Sequence, residues 1–501
     1  MATQLAAIDC GTTMVKAAIV DLRGRFRSLG RSPVACRRGR DGSVRQDASA
    51  IATAAFACLR QAVRARRSRP GDVAAVVVTN QRATVVCAGR KGDPLAPAFV
   101  WQDLRGGPQM ARLGRRIAGA EFYRITGLPP HPVFSIGKIL WIREHQPDLF
   151  KKTARFVLVH DLVARELGAS DFFCDHSNAS LTGLLDVRQR RWSDRLLNLT
   201  GMTAARLPVL VGPGVRIGAV SRPAAARTGL VEGTPIISGG GDQQCAGMGA
   251  GCVEAGVCSI TLGTAGVCFS AVDRPVWDPA RGVTCCVHAA PGLWNVEGLQ
   301  HAAGDSLRWL QSVFRGKPGA PDSLAAAAAK VGPGADGLIF LPYLAGSGAP
   351  DWLANASGMV LGLRRTHAKP ALARAVLESV AMENRRIIER FESMGVPVRT
   401  LRIGGGNSRL RLWDQIHADV CSRPIHLLSE PESALLGAAM LGALGAGAVP
   451  SLARAARDMV RLGPCAMPHK ARKKTCEKFY RRYLRVLDTI KECGLFAQLE
   501  D

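Results

Sequence analysis

No two of the 15 cysteines form a CxxC pair, so the spacing that redox motifs and most zinc sites require is missing. The count is odd, and Cys10, Cys87, Cys245 and Cys268 stand in apolar runs where a free thiol behaves as a small hydrophobe. The start, MATQLAAIDCGTT, has neither a charged n-region nor a signal-peptide core. A reduced, cytoplasmic setting is therefore expected. The longest small-apolar run, ALLGAAMLGALGAGAV at 434–449, falls short of the roughly 18–20 residues that span a bilayer, and reads as a buried helix. The chain's glycine-centred turns after apolar strands match neither GxxxxGK[ST] nor a proper GxGxxG with a downstream acid, which disfavours P-loop and Rossmann sites. The formal charge is +26, yet no RNP-like aromatic motif, zinc-finger spacing or basic heptad array accompanies it. Nucleic acid and membrane are accordingly not expected partners, whereas an anionic phosphorylated substrate is compatible with the charge.

What is present is ample core material. Hydrophobic residues make up 47% and charged residues 21% of 501, a globular balance in a chain long enough for two or more domains. Residues 5–21, LAAIDCGTTMVKAAIVD, read as strand, Gly-Thr turn, strand, and residues 257–273, VCSITLGTAGVCFSAVD, read the same way. One copy of a unit at half the chain's distance suggests two related domains. Between the hairpins strands alternate with helices: a helix at 51–66, a strand at 73–80, a strand at 337–344, and a helix at 370–391 with Leu372, Val376, Val380 and Ile387 on one stripe. Residues 400–420 give strand, glycine turn, helix. The architecture is α/β. Near the C-terminus, Phe479, Tyr483, Val486, Leu487 and Ile490 recur at helical spacing beneath a basic face, predicting a docked helix.

Three glycine-centred turns follow apolar strands: Asp9-Cys10-Gly11-Thr12-Thr13, Leu262-Gly263-Thr264-Ala265, and Gly404-Gly405-Gly406-Asn407-Ser408. Unobstructed amides beside Thr hydroxyls make concave donors for phosphate oxygens. Three such turns, two of them in a repeated unit, favour nucleotide phosphate binding. Asp9, just before the first turn, is placed to hold Mg²⁺ directly or through water. Lys16 reads equally as a phosphate partner or an exposed strand lysine. In ISGGGDQQCAGMGAG, 237–251, Asp242 stands behind three glycines and ahead of three more. Read from the residues alone it is as well a helix cap as a catalytic acid. Trp101, Gln102 and Asp103, with Arg82 and Gln243, mix an aromatic face with donors and acceptors as sugar recognition requires, although Trp101 alone also reads as a core aromatic.

The ordered succession Asp9-x-Gly-Thr-Thr, Thr79-Asn80-Gln81-Arg82, Trp101-Gln102-Asp103-x-Arg105, Gly241-Asp242-Gln243-Gln244, Leu262-Gly263-Thr264 and Gly404-Gly405-Gly406 resembles the FGGY carbohydrate kinases, the family of glycerol kinase and xylulokinase. The resemblance runs from residue 5 to about 450. It implies two ribonuclease H-like domains of the actin and sugar-kinase ATPase type flanking a catalytic cleft. Residues 1–250 would form the sugar-binding domain, and residues 251–501 the ATP-binding domain with its basic terminal helix. It implies Asp242 as general base toward the substrate hydroxyl and Asp9 at Mg²⁺. Gly11, Thr12, Thr13, Lys16, Gly263, Thr264, Gly304, Gly404, Gly405, Gly406, Asn407 and Ser408 would meet ATP, and Arg82, Trp101, Asp103, Asp242 and Gln243 the sugar. A homodimer is left open.

Departures from the family bear on the acceptor. Glycerol kinases carry Arg-Glu after Thr-Asn-Gln and a Tyr in Pro-Tyr-Phe-Ser, whereas this chain has Ala83 and Val133. Two polar contacts to a triol are missing. The second half resembles xylulokinase more, in GLIFLPYLAGSGAPDW and IGGGNSRLRLWDQIHAD, but the loop at 79–82 lacks that group's Met-His pair and Gln243 stands where it usually has Asn. The expectation is a kinase of a ketose or polyol, foremost a pentulose such as xylulose. Glycerol, tetritol or autoinducer-type hydroxyketone kinases, and an actin- or chaperone-like ATPase without a sugar, are the alternatives.

Overall fold

The computed structural model describes residues 3–65, 70–314, 321–406 and 410–499. They divide into two compact units, the first comprising Met1–Glu254, Ala271–Asn295 and Glu432–Val460, the second Ala255–Ser270, Val296–Pro431 and Arg461–Asp501. A single boundary at 250/251 thus leaves out two later segments that pack with the first unit.

In the first unit the strand Gln4–Cys10 pairs antiparallel with Met14–Asp21, and Gly11, Thr12 and Thr13 make the turn between them. On its other side it pairs parallel with Val73–Asn80. The alternation of strand side chains assigns each face a helix. Ala6, Ile8, Val15, Ala17 and Ile19 pack with Ile51, Ala55 and Leu59 of the helix Ala48–Ala65. Leu5, Ala7, Ala18 and Val20 pack with Leu435, Ala439 and Met440 of the helix Ser433–Gly445. Burial on both faces explains why these strands read as continuous apolar runs.

Ser433–Gly445 is the 434–449 run of the sequence, buried along most of its 13 residues; among the described residues no helix is long and apolar enough to cross a membrane. Its small residues let it approach the helix Asp242–Gly249 at backbone distance. A Cβ on Gly437 would lie 1.9 Å from the Cys245 carbonyl oxygen, and one on Gly249 2.0 Å from that of Ser433. The two helix backbones would have to separate to admit even a methyl group. Gly437→Ala is expected to lower stability by about 1–3 kcal/mol, as overpacking does, read as a lower urea midpoint at unchanged slope.

The second unit repeats the plan. Gly256–Leu262 and Gly266–Val272 form its hairpin, again with a three-residue turn, and Val398–Gly404 pairs parallel with the first of them. The strand orders correspond over six strands. In the first unit Arg216–Ala219, Pro235–Ile237, Val73–Asn80, Gln4–Cys10, Met14–Asp21 and Phe26–Pro33 lie side by side; in the second Leu462–Ala466, Ile425–Leu428, Val398–Gly404, Gly256–Leu262, Gly266–Val272 and Trp294–Gln300 do. Each unit carries a ribonuclease H-like sheet, as the family resemblance implied, and the repeated hairpin does mark two related units.

Other elements follow the sequence with adjustments. The helix Lys369–Ser393 has Pro370 in its first turn and buries Val376, Val380 and Ile387, while Leu372 is half-buried. The strand expected at 337–344 is only Ile339–Leu341, because Pro342 has no amide to continue the ladder. The terminal helix Lys473–Glu492 buries Phe479, Tyr483, Leu487 and Ile490 as predicted, with Tyr480 buried in addition and Val486 half-buried. The free cysteines are mostly buried, and burial pushes thiols such as Cys58 and Cys87 up to about 11.

Candidate active site

Strand register brings two acids of the first unit together. Asp9 lies opposite Thr79 in the parallel pair, one step on Cys10 lies opposite Asn80, and Asn80 bridges in parallel to Gly241. Asp9 and Asp242 therefore stand at the carboxyl ends of two parallel segments that flank Val73–Asn80, where α/β sheets place their ligands. Asp9 is half-buried, its Oδ1 sealed and without a hydrogen-bond partner among the described residues. Burial pushes its carboxyl up to about 7, the Asp242 charge adds to that, Lys16 offsets it and Glu432 adds again.

Asp242 opens the helix Asp242–Gly249, but Gly241 is the N-cap. The carboxylate occupies the first turn, where it meets the positive end of the helix dipole. Its Oδ1 accepts from the Gln243 amide at 2.8 Å and lies 3.2 Å from Arg82 Nε. Arg82 Nη1 also donates to Gln244 Oε1 at 3.3 Å. The following Ala83 has φ of 58° although it is buried and not glycine, a strained conformation of the kind that gathers at functional loops. Gln243 is half-buried beside Asp242.

The first Gly-Thr turn is fastened from within. Thr12 Oγ1 donates to Gln81 Oε1 at 3.0 Å and accepts from Trp101 Nε1 at 3.0 Å, while Gln46 Nε2 donates to the Thr12 carbonyl at 2.6 Å and Gln81 Nε2 to Gln46 Oε1 at 2.7 Å. This closed circuit ties Gly11–Thr13, the 79–82 loop and Trp101 into one rigid piece. Thr13 is exposed. Lys16 is engaged: its Nζ lies 2.5 Å from Glu432 Oε2, with Arg31 Nη2 2.9 Å from Oε1. Asp103 is buried and grips Arg105 in a two-pronged pair at 2.9 and 2.7 Å, with Arg105 lying 3.9 Å from the centre of the Trp141 ring. Both its oxygens are thus committed to protein partners.

In the second unit Gly405 has φ of 97°, and a Cβ there would lie 2.6 Å from the Leu262 carbonyl oxygen, whereas among the described residues nothing stands within 4 Å of a Cβ on Gly406. The two glycine turns of that unit thus touch at Gly405 and leave space at Gly406. The Thr264 carbonyl accepts from Ala303 and Asp305 at 3.0 and 3.1 Å, and Gly304 donates its amide to the Gly263 carbonyl at 3.0 Å. The start of the helix Gly304–Val313 is in this way bound to the turn, and the Gly304 amide is spent there. Arg308 Nη2 donates to Thr264 Oγ1 at 3.0 Å. Asn407 and Ser408 lie outside the described residues.

Gln46, Glu432 and Arg308 escaped the sequence reading. Each joins a motif from far along the chain or, for Arg308, from a helix face with no signature of its own.

Known proteins are similar to this chain along most of its length. The model of the N-terminal domain of the FGGY family of carbohydrate kinases matches residues 5–249, and that of its C-terminal domain residues 258–446. A xylulose kinase from Bacillus subtilis is 29% identical over 454 residues, covering 91% of this chain and 90% of that protein. A glycerol kinase from Citrifermentans bemidjiense is 33% identical over 467 residues, covering 90% and 92%. Among solved structures, a xylulose kinase from Rhodospirillum rubrum matches with a TM-score of 0.89 and 28% identity, over 99% of this chain and all (100%) of that one.

Proposed function

The chain belongs to the FGGY family of carbohydrate kinases, which phosphorylate a sugar or polyol with ATP, and from that premise we propose that its acceptor is a pentulose and its general base Asp242. The observation that carries the base assignment is the pair of acids on either side of the Val73–Asn80 strand end, one with a buried oxygen that has no hydrogen-bond partner among the described residues and the other beside Arg82. A proton acceptor and a cation holder need those two environments.

Asp242 takes the proton of the attacking hydroxyl as its oxygen moves onto the γ-phosphorus. Arg82 fixes the orientation of that carboxylate through the 3.2 Å contact. Trp101, locked by Thr12, offers its ring to the sugar carbons, and Gln243 reaches the hydroxyls. Asp103 acts at one remove, by holding Arg105. Amides of the Gly263 and Gly404–Gly406 turns receive phosphate oxygens.

Asp9 suits a divalent cation: a sealed oxygen without a partner and a carboxyl raised to about 7 are both relieved by positive charge alongside. Mg²⁺ needs no all-protein cage and is commonly held by one or two carboxylates together with phosphates. Bound with ATP, the ion would neutralise charge on the transferring phosphoryl group.

A pentulose is favoured over glycerol because Ala83 is buried in an apolar cluster and Val133 packs against it, so neither offers the polar group found in the family's glycerol kinases. Overall identity does not separate the acceptors, at 29% to a xylulose kinase and 33% to a glycerol kinase. A screen of ketoses and polyols for sugar-dependent ADP release is the test. A pentulose is expected to give the highest kcat/KM; glycerol outranking every ketose would overturn the assignment.

A further inference from the structure

The three glycines before Asp242 pass through close quarters within the first unit. A Cβ on Gly239 would lie 1.9 Å from the Val78 carbonyl oxygen, one on Gly240 2.6 Å from Ala289 Cβ, and one on Gly241 2.6 Å from both Arg82 Cδ and Gln244 Oε1. Side chains are excluded there by protein. What then fixes this bare stretch? The peptide linking Gly240 to Gly241 is held at both its polar ends. Thr79 Oγ1 donates to the Gly240 carbonyl at 2.8 Å, and the Gly241 amide donates to Ser177 Oγ at 3.0 Å.

These two contacts differ from ordinary core hydrogen bonds in their targets. The C=O of Gly240 and the N–H of Gly241 belong to one rigid plane, so two hydroxyls on opposite edges prevent its rotation. That plane is the last but one before the Asp242 Cα, and the next, between Gly241 and Asp242, is tied to the helix by the Cys245 amide, which donates to the Gly241 carbonyl at 2.9 Å. Glycine on either side would otherwise leave φ and ψ free.

Ser177 is itself aimed. Its hydroxyl is donated to Asp175 Oδ1 in a short hydrogen bond, which turns an oxygen lone pair toward the Gly241 amide. Asp175 is fixed in turn, accepting from the Ser177 and Asn178 amides at 2.8 and 3.1 Å and from Asn178 Nδ2 at 2.7 Å. Thr79, Asp175, Ser177 and Asn178 are all fully buried. Thr79 sits on the strand Val73–Asn80 opposite Asp9, so the residue that steadies the approach to one acid is a ladder neighbour of the other.

We propose that Thr79 and Ser177 are positioning residues that clamp the 240–241 peptide and so hold the Asp242 carboxylate in its reactive orientation; this rests on Asp242 being the base. Neither side chain touches substrate. Their contribution is to the geometry of proton transfer, where a displacement near 1 Å costs about 10²-fold.

The test is a double-mutant cycle on kcat using Thr79→Val, which keeps the shape without the hydroxyl, and Ser177→Ala, with Thr79→Ser as the variant that restores the donor. Each loss is expected to lower kcat by about 10- to 100-fold, with KM for sugar and ATP near wild type. Because both bonds hold one plane, the double variant should be scarcely slower than the worse single one, and Thr79→Ser should recover most of the rate. Melting temperatures of the same proteins report folding separately. Wild-type kcat in Thr79→Val and Ser177→Ala, beside an inactive Asp242→Asn, overturns the clamp alone. Losses that multiply in the double variant also overturn it, since the hydroxyls would then act independently. Full activity in Asp242→Asn would instead remove the base beneath the inference.

Discussion

Asp242→Asn is expected to lower kcat by about 10²- to 10⁴-fold, the range over which a positioned general base contributes. The amide keeps the shape of the side chain and a carbonyl oxygen that can face Arg82, so the start of the helix should persist. What it loses is the capacity to accept the substrate proton. ATP binding should be nearly unaffected, because the residues assigned to the nucleotide are elsewhere, apart from the charge removed. Single-turnover rates with saturating sugar, alongside nucleotide affinity by fluorescence or calorimetry, separate these effects. An unchanged rate would remove the base assignment.

Asp9→Asn carries the second large effect, on the metal requirement and on stability. The folded-state carboxyl is raised from 3.8 to about 7, so across that window the native protein keeps a proton that the unfolded chain has released. Stability of the ligand-free protein from this group is therefore full below about pH 4, falls as pH rises toward 7, and levels off above. Asp9→Asn should abolish that slope and raise the urea midpoint at pH 8, where the wild type buries an ionised oxygen lacking a partner. Metal binding has the opposite dependence. A cation competes with the proton, so apparent Mg²⁺ affinity should climb by roughly tenfold per pH unit below 7 and flatten above it. In Asp9→Asn the affinity should be lower and insensitive to pH in this range, with turnover falling alongside. Titrations of activity and of tryptophan fluorescence with Mg²⁺ between pH 5.5 and 8 test this. Unchanged metal dependence in the variant would count against Asp9.

The elements that the sequence made legible are those built from local pattern. The Gly-Thr hairpins at 11–13 and 263–265 could be matched by eye because each strand is buried on both faces, so its apolar run is continuous and its turn stands out. Register then does what the motif order suggested, setting Asp9 near Asp242 through the Val73–Asn80 strand. Less legible was the reason for the glycines around Asp242. Gly239, Gly240, Gly241 and Gly249 are pressed against Val78, Ala289, Arg82 and Ser433, neighbours far away in sequence. Lys16 likewise looked available to phosphate, and only the fold shows Glu432, hundreds of residues later, at its ammonium. Asp103 read as a sugar ligand, and its pairing with Arg105, two residues on, was compatible with the same motif. Local sequence conveys which groups are present; which of them are already satisfied depends on chain segments that no local pattern brings together.

One distance decides whether Asp242 is the base. In a crystal of the enzyme with its sugar and a non-hydrolysable ATP analogue, an Asp242 carboxylate oxygen should lie about 2.6–3.2 Å from a single sugar hydroxyl, and that hydroxyl should face the γ-phosphorus. A hydroxyl aimed at the phosphorus but bonded to some other acceptor, with Asp242 turned away toward protein, would contradict it.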